Sequence, residues 1–350
     1  MKLLDSVNKI LFHFQKKKQH DTQLGKVLVV SNTGFGDTIL STPAVKSLSK
    51  SFPNAKIFFL VNKKYLSLFR NYSYVDKIWK YSGGYLNLFS LIIKCRINSI
   101  HTIMLFHSNG PEDIFISLLS GAKNILKCSN NLDHPYKNLF LNEIILQQKH
   151  NIEKKIDLVR YFNPNFIDTS LSIADKYYSE LPLDYLPKQK KIIGIQIGAQ
   201  DIYKVWPVEN CIKLCQYLVS KHYFLVFFGA TQLENEMMKE VESNIDITNI
   251  CNLVCKTKIN DLPYILKRLD LLITNDTGIL HLAIAMKVST LSLFGPTSNE
   301  EFGAYQDFEI HNHIQKNGFF VNEKPKKMRN QDGMKLISVN EVITKLEGLL

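Results

Sequence analysis

Two short stretches put polar groups where chemistry could use them. In Asp270-Leu271-Leu272-Ile273-Thr274-Asn275-Asp276-Thr277-Gly278-Ile279-Leu280-His281 an apolar run stops in a small polar turn, and a helix begins near Gly278. Free N–H groups in a first helical turn make an anion site, and the Thr277 hydroxyl adds a donor. A carboxylate, Asp276, is out of place beside a site for phosphate alone. It fits if Asp276 accepts hydrogen bonds from sugar hydroxyls while the amides hold a diphosphate. The plainer alternative is that Asn275 or Asp276 caps the helix and that His281, one turn on, is a core residue. In Ser31-Asn32-Thr33-Gly34-Phe35-Gly36-Asp37 a strand runs into a glycine-rich turn. Asp37 at its mouth could serve as a base, with Gly34 and Gly36 allowing the bend. Here the alternative is an N-cap aspartate.

The six cysteines, Cys95, Cys128, Cys211, Cys215, Cys251 and Cys255, are too few in 350 residues for a disulfide framework and favour a reducing compartment. Two C-x-x-x-C pairs could share a metal only if both converged in space. Cys211 and Cys215 fall on an amphipathic helical pattern, where cysteine is more often a small buried hydrophobe.

The elements that must position these groups alternate. Strands are expected over 26–31, 56–61 and 100–106, then again over 191–198, 223–228, 247–253, 271–274 and 290–294, with helical patterns between. Strands buried on both faces and separated by helices indicate parallel α/β sheets. The pattern restarts near Lys191, and 350 residues suit two domains whose cleft is the default site. The expected divisions are a basic leader over 1–24, a first domain over 25–165, a linker over 166–190, a second domain over 191–335 and a last helix over 336–350. Ser338-Val339-Asn340-Glu341 is a capping box opening that helix.

Hydrophobic residues at 45% and charged residues at 21% suit a globular protein with sizeable cores, and no 18-residue uncharged apolar run is present to span a membrane. The charge is uneven: residues 1–165 hold 23 Lys/Arg against 10 Asp/Glu, whereas residues 166–350 hold 20 against 22. A basic first half suits an anionic partner, such as an acidic membrane surface, a phosphorylated glycolipid or nucleic acid. A solvated surface excess of lysine is the alternative. Leu3, Leu4, Val7, Ile10, Leu11 and Phe14 fall at helical spacing before Lys16-Lys17-Lys18. That pattern fits either an interfacial amphipathic helix or a helix packed on its own domain.

The 270–281 segment, with Leu291-Ser292-Leu293-Phe294-Gly295-Pro296-Thr297 after it, resembles the donor-binding signature of glycosyltransferase family 9, the lipopolysaccharide heptosyltransferases. Val29 to Asp37 with Thr42-Pro43-Ala44 and Phe52-Pro53 resembles the family's first strand and Gly-Asp turn. Ile195 to Ala199 with Lys204-Val205-Trp206-Pro207 resembles its second-domain opening, and Gly333-Met334 through the last helix its C-terminus. The resemblance runs from about residue 26 to the end.

It implies a GT-B fold: two Rossmann-like domains with parallel sheets facing across a cleft, acceptor in the first and donor in the second. It also implies an inverting, metal-independent sugar transfer, usually of heptose from ADP-heptose, with no cofactor beyond the nucleotide-sugar donor. Asp37 matches the family's catalytic base, and Lys204 the lysine that would neutralise the leaving diphosphate. Gly198, Ala199, Asn275, Asp276, Thr277, Gly278, His281, Gly295, Pro296 and Thr297 fall to the donor side, with Glu234 the nearest candidate for a ribose-binding acid. Gly36, His107, Asn109, Lys63 and Lys64 fall to the acceptor side, the lysines with Arg70 as part of a basic surface. Trp206-Pro207 reads as the structural opening of a helix. Where the family commonly has Leu-Ala-Gly-Lys-Thr, this chain has Leu253-Val254-Cys255-Lys256-Thr257, with cysteine in place of glycine.

The implied partner is an anionic lipopolysaccharide-type or lipooligosaccharide-type acceptor at the cytoplasmic membrane face, with no nucleic acid. Another nucleotide sugar, serving capsule, O-antigen or protein glycosylation, is the alternative within the family. A dinucleotide-dependent oxidoreductase would need a third glycine where Ile39 stands. A nucleic-acid binder would leave the near-neutral second half unexplained.

Overall fold

Runs such as Val27-Leu28-Val29-Val30 and Leu271-Leu272-Ile273 present apolar side chains to both faces, so each must sit inside a sheet covered on both sides. In the computed structural model they do. It describes residues 2–13, 23–107, 111–129, 142–145, 149–176, 179, 181, 186–317 and 329–350. The chain divides into two compact units, Met1–Lys176 and Tyr177–Leu350.

In the first unit the order is α1 (Lys2–His13), β1 (Val27–Ser31), α2 (Phe35–Ile39), α3 (Thr42–Ser51), β2 (Ile57–Asn62), β3 (Lys77–Tyr81), α4 (Tyr85–Ile97), β4 (Thr102–His107), α5 (Pro111–Leu119), β5 (Asn124–Ser129), β6 (Asn142–Ile145) and α6 (Asn151–Arg160). In the second it is β7 (Ile192–Gln196), α7 (Val208–Ser220), β8 (Phe224–Phe228), α8 (Gln232–Glu242), β9 (Ile250–Asn252), α9 (Leu262–Leu266), β10 (Leu271–Asn275), α10 (Gly278–Ala285), β11 (Thr290–Phe294), α11 (Asn299–Phe302), β12 (His311–Gln315), α12 (Asp332–Lys335) and α13 (Val339–Glu347).

Both sheets are parallel throughout. Their orders are β3-β2-β1-β4-β5-β6 and β12-β11-β10-β7-β8-β9. Counted within its own unit, each has the doubly wound order 3-2-1-4-5-6, which reverses direction between its first and fourth strands. In the first unit that point lies between β1 and β4, in the second between β7 and β10. Sequence patterning missed β3, β5, β6 and β12. It also ran a strand from Ile247, where a 3-10 turn over Ile247–Asn249, capped by Asp246, precedes the short β9.

The leader folds onto its own unit. Val7 and Leu11 pack against the first core, and the buried Asn8 donates from Nδ2 to the Pro111 carbonyl at 2.7 Å. The lysine run Lys16-Lys17-Lys18 lies outside the described residues. No described helix is long and apolar enough to cross a membrane. Cys211 and Cys215 are buried in the second core with their sulfurs 4.0 Å apart, whereas Cys255 is exposed and donates to the Thr231 carbonyl at 3.4 Å. The last helix is part of the second unit's core, through Val342 and Leu346, and its expected capping box forms between Ser338 and Glu341.

The expected linker starts too early. Residues 166–174 strap onto the first unit: Ser51 Oγ donates to the Phe166 carbonyl at 2.7 Å, and the Ala174 amide donates to that of Leu68 at 3.0 Å. Lys46, 5% exposed, pairs with Asp168 at 3.0 Å and donates to the Ser170 carbonyl at 2.9 Å. The two partners gain unequally. Burial lowers Lys46 by more than Asp168 raises it. For Asp168 burial pulls upward, but Ser170 and Lys46 hold it below the usual carboxylate range. The pair therefore adds little net stability, yet removing one partner strands a buried charge. Asp168→Ala should destabilise the protein by about 3 kcal/mol in denaturant unfolding. Lys50→Ala, which removes a half-exposed charge 3.5 Å from the same carboxylate, should cost at most about 1 kcal/mol.

Candidate functional site

In doubly wound sheets ligands bind beyond the strand ends at the point of reversal. In the second unit those ends are Gln196 on β7 and Asn275 on β10. Asn275 is 2% exposed, and its Nδ2 donates to the Gly198 carbonyl at 3.1 Å while its Oδ1 accepts from the Trp206 amide at 3.3 Å. It is therefore a brace joining the two strand ends and the 201–206 turn. Neither Asn275 nor Asp276 caps α10. The N-cap is Thr277, which makes no side-chain capping bond, and its hydroxyl lies 3.3 Å from that of Thr274. The helix start at Gly278 thus keeps its amides free of a side-chain cap.

Lys204 and Asp276 meet here. Lys204 Nζ is 2.7 Å from Asp276 Oδ2 and 3.5 Å from its backbone carbonyl. The carboxylate side chain is 5% exposed and the lysine 22%. Burial alone would raise Asp276, but Lys204 and His281 beside it hold it below the usual aspartate range. Burial alone would lower Lys204, and the Asp276 charge raises it above the usual lysine range instead. The Thr297 hydroxyl adds to the lowering of Asp276, yet it is buried and reaches no partner at full hydrogen-bonding geometry. Asp276 is thus a buried counter-ion with one oxygen committed, not the open carboxylate that the sequence suggested.

Glycines and braces hold this corner. A Cβ on Gly295 would lie 2.6 Å from the Gly333 carbonyl carbon and 2.7 Å from the Met334 amide, so only glycine lets the β11 end meet α12; Pro296 and Thr297 follow directly. A Cβ on Gly198 would lie 2.5 Å from Glu234 Cγ, and Ala199 is buried in the core. Trp206 is buried too, its indole donating to the Ile337 carbonyl at 2.9 Å, which bears out its structural reading. Sequence reasoning passed over Arg329, whose guanidinium reaches the Tyr203 hydroxyl at 3.3 Å, and Gln331, which donates to the Val205 carbonyl at 3.0 Å. Their only signal was nearness in the chain to Gly333-Met334.

Glu234 is corrected. Its Oε2 accepts from the Ala230 amide at 2.7 Å, the Thr231 amide at 2.8 Å and the Thr231 hydroxyl at 2.8 Å, and its Oε1 accepts from Gln196 at 2.7 Å. It is the third residue of α8 and closes a capping box with Thr231, and a carboxylate this fully engaged has little capacity left for a ribose. At 255 the missing glycine is matched by conformation: Cys255 adopts φ +58° and its amide bonds the Gly229 carbonyl at 2.9 Å, so the turn survives a side chain that disfavours it.

In the first unit the reversal point lies at Ser31 and His107. Asp37 is the third residue of α2, so the N-cap alternative fails; Gly34 is the N-cap. Neither Gly34 nor Gly36 has positive φ. A Cβ on Gly34 would instead lie 2.7 Å from Asp37 Oδ2, so that glycine makes room for the carboxylate, and Gly36 sits within the helix. Burial and the Asp37 charge raise the Tyr65 hydroxyl above its usual value. Lys63 and Lys64 are exposed on a 3-10 turn over Lys63–Leu68, capped by Asn62. His107 ends β4; its side chain and Asn109 lie outside the described residues. Asp113, 2% exposed at the start of α5, was not anticipated; its Oδ1 accepts from Asn32 Nδ2 at 3.2 Å.

The family model for glycosyltransferase family 9 (heptosyltransferase) matches residues 121–330. The chain belongs to that family. This family 9 glycosyltransferase is 25% identical over 293 residues to lipooligosaccharide heptosyltransferase 2 of Campylobacter jejuni, covering 81% of this chain and 84% of the relative. A family 9 structure from Veillonella parvula superposes with a TM-score of 0.76 at 23% identity, covering 95% of this chain and 99% of that one. The ADP-heptose lipopolysaccharide heptosyltransferase II of E. coli gives 0.73 at 18%, covering 93% and 98%. These structural likenesses speak for the fold, which is GT-B.

Two outcomes follow for the second unit. Glu234→Ala leaves part-buried amides at the start of α8 and the Gln196 side chain without an acceptor, so it should cost about 1–2 kcal/mol in chemical denaturation; a carboxylate serving only a ligand would leave stability unchanged. The depressed Asp276 stabilises above the usual aspartate range, and that contribution is lost as pH falls through its lower folded value. The raised Lys204 stabilises below the usual lysine range, and is lost as pH rises through its higher folded value. Asp276→Asn should therefore remove an acid-side and an alkaline-side slope from the stability–pH curve, with no step near neutrality.

Proposed function

We propose that this family 9 glycosyltransferase moves heptose from ADP-heptose to an anionic lipooligosaccharide-type acceptor, with inversion and without a metal, at the cytoplasmic face of the membrane. The observation that carries this reading is the Lys204–Asp276 pair beside the uncapped start of α10. A part-exposed lysine fixed by a buried carboxylate and free helical amides together suit a diphosphate, which a lone carboxylate would repel. The relatives, named as heptosyltransferases, favour heptose and ADP over other donors.

In the proposed reaction the acceptor hydroxyl oxygen attacks the anomeric carbon opposite the diphosphate. Its proton passes to an Asp37 carboxylate oxygen, and the carbon–oxygen bond to the diphosphate breaks with its electron pair leaving on ADP. Lys204 uses N–H donors not engaged by Asp276 to balance the departing charge. Asp276 steadies both Lys204 and, through its second oxygen, the donor sugar. Thr277, Gly278 and Thr297 supply hydroxyl and amide donors, and Asn275, Gly198, Ala199, His281, Gly295 and Pro296 keep that corner in place. Lys63 and Lys64 meet acceptor phosphates, and Gly36, His107 and Asn109 are assigned to the acceptor from the sequence motifs they belong to.

The test is ADP release and product mass with ADP-heptose and a deacylated heptose-deficient core acceptor, run in parallel with UDP-linked and GDP-linked sugars. Asp37→Asn should slow transfer by about 10²–10⁴-fold while ADP-heptose still raises the melting temperature. Full activity of that variant would overturn the base assignment. Transfer from only a UDP- or GDP-sugar would overturn the donor.

A further inference from the structure

Helix α4 is apolar on two faces. Leu88, Leu91, Ile92 and Cys95 are buried in the first core. On the other side Tyr85 is 53% exposed, Leu86 89%, Phe89 52%, Ile93 56% and Ile97 76%. Tyr85, Phe89, Ile93 and Ile97 follow one another at i, i+4 spacing, so they form a single ridge about 18 Å long at the rise of an α-helix. A helix on the surface of a globular protein normally turns polar residues outward there. The charges on α4 are Lys94 and Arg96, with no acidic residue, and both are exposed. Arg96 is anchored by donating to the Leu119 carbonyl at 2.7 Å.

We infer that the outward ridge of α4 docks the protein on a bilayer rich in anionic lipid. The ridge supplies apolar side chains to the acyl boundary, Tyr85 offers an amphipathic ring suited to the headgroup level, and Lys94 and Arg96 face the lipid phosphates. The wider charge agrees, since residues 1–165 carry 23 Lys/Arg against 10 Asp/Glu. A second copy of the chain is a poorer occupant. It would set the same cations against each other, and one ridge of four side chains with Leu86 beside it falls well short of the roughly 800 Å² per partner of a stable interface. The leader helix α1, the obvious membrane candidate in the sequence, instead turns Val7 and Leu11 into its own core. The proposal deepens the reading of a lipid-linked acceptor and rests on it for its purpose. The two fail separately, because transfer is tested on a deacylated, soluble acceptor.

The experiment is flotation of the full chain with phosphatidylcholine vesicles, with and without about a third phosphatidylglycerol. Binding to the anionic vesicles should be at least about tenfold tighter than to the neutral ones. The combined substitution Leu86→Gln, Ile93→Gln and Ile97→Gln, which spares the Phe89 ring packed edge-on against Phe115, should weaken it at least about tenfold with the melting temperature unchanged. If that variant melts early, Leu86→Gln alone, at the most exposed position, should still weaken binding severalfold. Lys94→Gln should weaken binding to anionic vesicles and leave binding to neutral ones unaltered. Wild-type protein that stays off anionic vesicles, or binds both kinds equally, overturns the inference. So does a triple variant that floats like wild type, or one whose only change is conversion of a wild-type dimer to monomer by light scattering.

Discussion

Every described strand pair in this protein is parallel, and that constraint sets where chemistry can happen. In a parallel sheet all strands deliver their C-terminal ends to one edge, and each must be followed by a crossover before the next begins. Where the strand order reverses, neighbouring crossovers leave on opposite faces and the loops part. In the second unit this occurs between β7 and β10, so Gly198 and Asn275, far apart in the chain, become hydrogen-bonded neighbours. In the first unit it occurs between β1 and β4, where Asn32, just after β1, and Asp113, at the start of α5, are hydrogen-bonded.

On that frame the second unit builds a site whose charges are already balanced. Asp276 is buried, and it remains ionised because Lys204 sits 2.7 Å away. Lys204 keeps its proton for the same reason. A preformed pair of this kind fixes the lysine in advance; for the proposed diphosphate ligand that would reduce the reorganisation a flexible surface lysine needs. The surrounding residues serve position more than contact: Asn275, Gly198 and Trp206 close one network, and Gly295 admits α12 against the sheet. Asn275, Gly198 and Gly295, which the sequence marked for the donor side, are thus parts of the wall that holds Lys204 and Asp276.

The interior strands were legible because their residues are apolar on both faces, as in Val27 to Val30 and Leu271 to Ile273. Three that were missed, β3, β6 and β12, are sheet edges. Edge strands tolerate Lys77, Lys80, His313 and Gln315 because one side of each meets solvent, so they carry no continuous apolar run. Capping boxes show the same limit differently. Ser338 to Glu341 was read correctly, whereas Thr231 to Glu234 has an equivalent spacing and was read as a ribose contact. Both are Ser/Thr-x-x-Glu in the sequence; only the burial of Glu234 against Gln196 distinguishes its duty.

What the sequence determined by itself was local: alternating strand and helix, the strand-to-helix passage through Gly34 to Asp37, the polar turn at 275–278, and the family these motifs resemble together. Such features depend on residues close in the chain, whose spacing and propensities suffice. The partnership of Lys204 with Asp276, the bracing role of Asn275, the strap over 166–174 and the difference between the covered face of α1 and the bare face of α4 were decided only in three dimensions. Each depends on which side chain meets which across scores of residues, and on how much water that meeting removes. Burial turns Asp276 from a free ligand into a counter-ion, and its absence makes the α4 ridge a surface in need of a partner.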